Sequence, residues 1–99
     1  QAIHRCTEKG NLDDYIPIEA SCSSTNLGDT LCLAGSIESM GSWRPDRAVV
    51  LSTTADTFPI WSGILRLNAM SFECKLVIHR NDGGYDWEQT QNRQVVVPA

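Results

Sequence analysis

No stretch of a dozen residues in this chain repeats its apolar side chains at the three-to-four-residue interval of a helix. Short β-type runs recur instead: YIPIEASCS, TLCLAGS, RAVVLST, IWSGILRLN, SFECKLVIHR, YDWEQ and QVVVPA. Between them lie NLGD, GSWRPD, ADTFP, LNAM, NDGG and TQNR, all rich in residues that turn a chain. SFECKLVIHR alternates, placing Phe72, Cys74, Leu76 and Ile78 on one face and Glu73, Lys75, Val77 and His79 on the other. IWSGILRL alternates too, with Ile60, Ser62, Ile64 and Arg66 opposite Trp61, Gly63, Leu65 and Leu67. The expectation is an all-β fold, a single antiparallel β-sandwich of about seven short strands or an open-sided barrel.

Ninety-nine residues make one domain, and 41% hydrophobic content supplies one modest core. The first fourteen residues, QAIHRCTEKGNLDD, are polar and aperiodic, so 1–14 read as an arm or linker and 15–99 as the sandwich. The chain begins at Gln1 without a signal-like apolar segment, which reads as a piece of a longer protein. A net charge of −4 with scattered Lys and Arg argues against nucleic acid and anionic membranes. Runs such as AVVL are too short to span a bilayer. The cysteines lack C-x-x-C spacing and His4 and His79 lie far apart, so no metal or other cofactor is expected.

GSWRPD sets Trp43 among residues that can hardly be buried. One explanation is the Cys…Trp…Cys pattern of an immunoglobulin domain, with Cys32, Trp43 and Cys74 at about that spacing. Against it, Pro45 cannot donate to a central ladder, and Phe72 stands where a tyrosine corner needs Tyr. The other explanation pairs Trp43 with Trp87, which lies in the equally polar GGYDWEQTQNR. Two such tryptophans suit a ligand with an apolar face and a hydroxylated rim, which describes a glucose ring. Covering ~80–100 Å² of indole at ~25 cal/mol/Å² is worth on the order of 2 kcal/mol per ring. Two rings and a few hydrogen bonds give micromolar to millimolar affinity, useful for a polymer or a tethered domain.

From Asp29 to Pro98 the sequence resembles a starch-binding domain, carbohydrate-binding module family 20. The resemblance rests on Gly35-Ser36, Gly41-x-Trp43, Ala48-x-x-Leu51, Trp61, Phe72-Glu73-x-Lys75, Trp87-Glu88 and Asn92-Arg93, in that order. Before Asp29 the match is vague. The resemblance implies an immunoglobulin-like sandwich with a first binding site in which Trp43 and Trp87 stack on α-glucan. Lys75 and Asn92 would bond sugar hydroxyls, with Glu88 a further contact. A second site, centred in the family on tyrosines, would have Trp61 and Glu73 as helpers. Its tyrosines are missing: Leu27 stands where one is expected, and only Phe58 could substitute. The second site is therefore expected to be weak or absent, and Trp61 to be mainly core.

Cys32 and Cys74 occupy positions that are often tyrosine in the family, which implies either a looser core or two thiols that meet. Cys6 and Cys22 are a further candidate pair, and sequence alone does not choose among the pairings. No cysteine lies near Ala99 to join the chain ends as secreted fungal relatives do, and no Asn-x-Ser/Thr acceptor is present. Both lean toward an intracellular protein, in cytoplasm or plastid. No pair of carboxylates is placed for glycoside hydrolysis, no nucleophile motif occurs, and NDGG reads as a hairpin turn. The expectation is a monomeric, non-catalytic module that binds starch, glycogen, maltooligosaccharides or cyclodextrin. It would anchor a larger protein such as an amylase, glucanotransferase, glucan kinase or glucan phosphatase. The alternative is a protein-interaction sandwich that has lost glucan binding.

Overall fold

The computed structural model describes residues 2–5, 15–66 and 71–96. Alternating or doubly apolar runs become β2 (Tyr15–Ser21), β3 (Thr30–Gly35), β4 (Val49–Val50), β5 (Ile60–Arg66), β6 (Ser71–His79), β7 (Tyr85–Trp87) and β8 (Arg93–Val96). These correspond to the seven runs read from the sequence. Among the described residues the helical segments are two 3₁₀ turns, Glu38–Met40 and Pro45–Arg47. The polar arm adds β1 (Ala2–Arg5), antiparallel to β2 with Ala2 opposite Ser21 and Arg5 opposite Ile18. Residues 6–14 of that arm lie outside the described residues.

Two antiparallel sheets result. The smaller has the order β1-β2-β5; the larger has β4-β3-β6-β7, with β8 also paired to β6. The inward-facing side chains are those the alternation selects: Ile16, Ile18 and Ala20 from β2, Leu31 and Leu33 from β3, Trp61 and Leu65 from β5. Phe72, Cys74, Leu76 and Ile78 come from β6, and Met40 and Leu51 join the same cluster. Each fully buried Leu or Ile contributes about 1.5–3 kcal/mol. Trp61 is 6% exposed, and its indole N–H donates to the Cys22 carbonyl at 3.2 Å.

β3 and β6 are also buried on their outer faces. Cys32, Ala34 and Val77 form a second apolar patch there, roofed by Trp43, Ala48, Tyr85 and Trp87. The register sets Cys32 opposite Val77 and Cys74 opposite Gly35. Cys32 therefore points outward while Cys74 points into the core. This removes both the immunoglobulin pattern and the meeting of these two thiols, because a bond between them would have to cross the sheet. Both are free thiols. Burial pushes the Cys74 thiol up to about 11, with Arg93 opposing, and raises that of Cys32. Cys22 is buried, and Cys6 lies outside the described residues.

Candidate functional site: an aromatic face on the larger sheet

The site is built around a gap in one edge of β6. β8 pairs with its first half, from Ser71 opposite Val96 to Cys74 opposite Arg93. β7 pairs with its second half, from Val77 opposite Trp87 to His79 opposite Tyr85. Lys75 and Leu76 fall between the two pairings, where residues 88–92 loop away from the edge. A buried backbone N–H left there would cost about 1–3 kcal/mol. Glu88 satisfies it: the Leu76 N–H donates to Glu88 Oε1 at 3.1 Å, while the Glu88 N–H donates to the Leu76 carbonyl at 3.0 Å. The Arg93 guanidinium binds both oxygens of the same carboxylate.

Glu88 was expected as a sugar contact; in the structure its carboxylate is bonded within the protein. Its side chain is 4% exposed and its carboxylate is fully engaged. Burial pushes its carboxyl up, but the Arg93 guanidinium and the Leu76 N–H outweigh burial and hold it below the ordinary value. Arg93, which the sequence reading named only as part of the Asn92-Arg93 motif and gave no role, is the residue that closes the loop carrying Asn92. The signal was faint: opposite charges bracket the turn residues of EQTQNR.

Trp87 projects outward because it shares the face of its register partner Val77. Trp43 reaches the same patch from the loop after β3. Gly41, Ser42 and Trp43 all have left-handed φ, at 88°, 49° and 67°. For the two residues with side chains, that conformation costs roughly 1–2 kcal/mol each. Local hydrogen bonds offset the strain: Trp43 N–H to the Gly35 carbonyl at 2.8 Å, Ser42 N–H to Ile37 at 3.1 Å and Gly41 N–H to Glu38 at 2.9 Å. Glycine is required at 41, where a Cβ would sit 2.7 Å from the Arg44 carbonyl. Pro45 then opens the second 3₁₀ turn. A loop tethered this way holds its indole in one place.

The Trp43 and Trp87 rings lie 6.4 Å apart, centroid to centroid, inclined at 50°. Both are half-buried on the small side chains Cys32, Ala34 and Val77. Tyr85 stacks on His79 beside them, at 4.4 Å and 14°. Lys75 lies on the same face of β6, two residues before Val77, and is half-exposed. Asn92 is exposed and donates its side-chain N–H to Glu73 Oε1 at 3.0 Å. Trp43, Trp87, Lys75 and Asn92 thus share one side of the larger sheet, and Glu73 stands with them.

The residues assigned to a second site are not gathered in the same way. Leu27, Phe58 and Trp61 line an open hollow of about 640 Å³ together with Val50 and Thr53. Leu27 is 99% exposed and Phe58 45% exposed. Glu73 does not line this hollow. Leu27 is carried by a loop that Asp29 pins, accepting the N–H groups of Asn26 at 2.8 Å and Asn81 at 2.9 Å and the Arg80 guanidinium at 2.8 Å. Those bonds hold the Asp29 carboxyl below its ordinary value. Among the described residues no group of three or more His, Cys, Asp or Glu could hold a metal ion, and no helix is long and apolar enough to cross a membrane.

A β-sandwich with two indoles displayed on one sheet defines a binding module. The chain belongs to the starch binding domain family, whose model matches residues 15–99. The match thus begins before Asp29, where the sequence resemblance fades. The family is non-catalytic, and its members serve as accessory domains of enzymes. The chain is 36% identical over 98 residues to an AA13 family lytic polysaccharide monooxygenase A of Aspergillus terreus, covering 95% of this chain and 24% of that protein. It is 37% identical over 75 residues to an alpha-amylase of Thermomonospora curvata, covering 72% of this chain and 12% of that protein. Among solved structures, the glycoside hydrolase family 15 glucoamylase of Hypocrea jecorina superposes with a TM-score of 0.73 and 31% identity, over 82% of this chain and 14% of that one. The family 20 module of a maltotetraose-forming amylase of Pseudomonas saccharophila superposes at 0.67 and 26% identity, over 81% and 86%. The chain spans about a quarter or less of the curated relatives it matches.

Proposed function

We propose that the outer face of the larger sheet binds α-1,4-glucan and so holds a larger starch- or glycogen-metabolising enzyme on its polymer. The observation that carries this reading is the pair of half-exposed indoles, 6.4 Å apart and inclined at 50°. Two inclined rings do not fit a flat ribbon of β-linked glucose. They fit a chain whose successive sugars turn relative to one another, as α-1,4 linkage makes them do. Each ring covered contributes on the order of 2 kcal/mol. Lys75 and Asn92 stand at the rim, where hydroxyls need partners; a lost hydrogen bond there costs about 1 kcal/mol.

The Leu27/Phe58 hollow offers one half-exposed ring and an aliphatic side chain, so it adds little glucan affinity. Glu88 and Arg93 act by holding the loop in shape.

The test is adsorption to granular starch, displaced by β-cyclodextrin and not by cellobiose, with crystalline cellulose as control. Retention on starch alone supports the reading. A folded domain that stays in solution with both polymers overturns it in favour of a sandwich that serves a protein partner.

A further inference from the structure

We propose that Glu73 is a positioning residue of the aromatic face: by accepting the Asn92 amide, it fixes which end of that amide a glucan meets. The inference rests on the glucan-binding reading of this face and assigns Glu73 to it rather than to the Leu27/Phe58 hollow.

A primary amide has two chemically opposite ends, an accepting oxygen and a donating nitrogen, of similar size. On an exposed loop it can present either. An ionised carboxylate can only accept, so at 3.0 Å from Glu73 Oε1 the Asn92 side chain must present its nitrogen to Glu73. Its Oδ1 and its second N–H are then left for another partner, and Asn92 is exposed. A sugar hydroxyl arriving there finds an acceptor in a fixed place, and the ordering cost of that side chain has been met before binding.

The anchor is itself held. The Glu73 N–H donates to Ser36 Oγ at 2.9 Å, and its carbonyl accepts the Ser36 N–H at 2.9 Å. Gly35 lets β3 and β6 approach this closely, since a Cβ there would lie 2.8 Å from the Glu73 carbonyl oxygen. On the other side, the Glu88–Arg93 pair fixes the residue after Asn92. Between a Glu73 bonded through its backbone and an Arg93 held by Glu88, the Asn92 amide takes its orientation from the Glu73 carboxylate. Glu73 also shares the face of Lys75 and Val77 by strand alternation, so its carboxylate lies on the ligand side of β6.

The experiment is a double-mutant cycle on β-cyclodextrin affinity, with Glu73→Gln, Asn92→Ala and the double variant, each checked for unchanged thermal unfolding. A glutamine at 73 can face Asn92 with either end and so no longer selects one orientation. Glu73→Gln alone should weaken binding about threefold to tenfold, and should change affinity by less than about twofold in the Asn92→Ala background. An equal factor in both backgrounds, or no effect in the wild-type background, overturns the proposal. If the glutamine variant unfolds, Glu73→Asp retains the charge but withdraws the oxygen by one methylene, and should weaken binding with the same dependence on Asn92.

A second readout needs no ligand. The Asn92 side-chain amide protons of the free protein should show a carboxylate-bonded NMR shift that collapses in Glu73→Gln. Signals that do not respond to the substitution contradict the positioning role even if the wild-type domain binds no glucan. A wild-type domain that ignores β-cyclodextrin contradicts the glucan reading itself, and the two failures are distinguishable.

Discussion

Trp43 and Trp87 rest against the outer face of a sheet, whereas Leu27 and Phe58 stand beside an open hollow. The first pair rests on Cys32, Ala34 and Val77, side chains small enough to let two indoles settle against β3 and β6. Its loops are fastened by the left-handed turn at 41–43 and by the Glu88–Arg93 clamp. In the hollow, Leu27 is almost wholly exposed, and Trp61 has its indole N–H committed to the Cys22 carbonyl. Both regions carry apolar surface. The difference is that one region has its rings ordered in advance, so a ligand does not meet that cost.

The largest way to disturb this contrast is Trp61→Ala. Although Trp61 lines the hollow, it belongs to the core, and its truncation should cost about 3–5 kcal/mol of stability. A denaturant titration checks this; a variant as stable as wild type would remove Trp61 from the core account. Next come Trp43→Ala and Trp87→Ala, each losing about 2 kcal/mol of glucan binding, or roughly thirtyfold, with the fold kept. Isothermal titration with β-cyclodextrin and a parallel thermal melt separate the two effects.

Glu88→Gln tests the clamp and should cost about 2 kcal/mol at neutral pH, as expected for hydrogen bonds to a charged group. The folded value of Glu88 lies below the ordinary 4.5, so its ionised contribution is complete above that pH. It is lost as pH falls through the folded value. The stability gap between wild type and Glu88→Gln should therefore narrow below pH 4.5, and a gap independent of pH would contradict the ionised clamp. The smallest effects belong to the hollow: Leu27→Ala and Phe58→Ala should each change β-cyclodextrin affinity by less than about twofold, the scale of an imperfectly covered methyl group. A tenfold loss in either would show that the two regions are not as unequal as their footing suggests.

Much of the fold was legible because half-buried strands announce themselves by alternation, as in Phe72–His79. The outward direction of Cys32 was not read from the sequence, because TLCLAG is apolar on both faces and only the pairing of β3 with β6 separates Cys32 from Cys74. Nor was β1, because an edge strand pairs through its backbone and needs no apolar pattern. Among the site residues, the two tryptophans stood out because indole is rare in polar loops. The protein partners of Glu88 were not legible, because an acid beside Trp87 in a polar stretch looks solvated. Its burial depends on Arg93, across a loop that no strand or helix spacing describes. The partner of Glu73 was hidden for another reason: which residue its carboxylate meets depends on β8 and the loop before it folding back along β6.

The most direct test of the central claim is tryptophan fluorescence of the wild-type domain titrated with β-cyclodextrin, with cellobiose as control. The account predicts a saturable change with β-cyclodextrin alone, lost in Trp87→Ala. An emission unmoved by either sugar in a demonstrably folded domain, or moved equally by both, would contradict an α-glucan seated on Trp43 and Trp87.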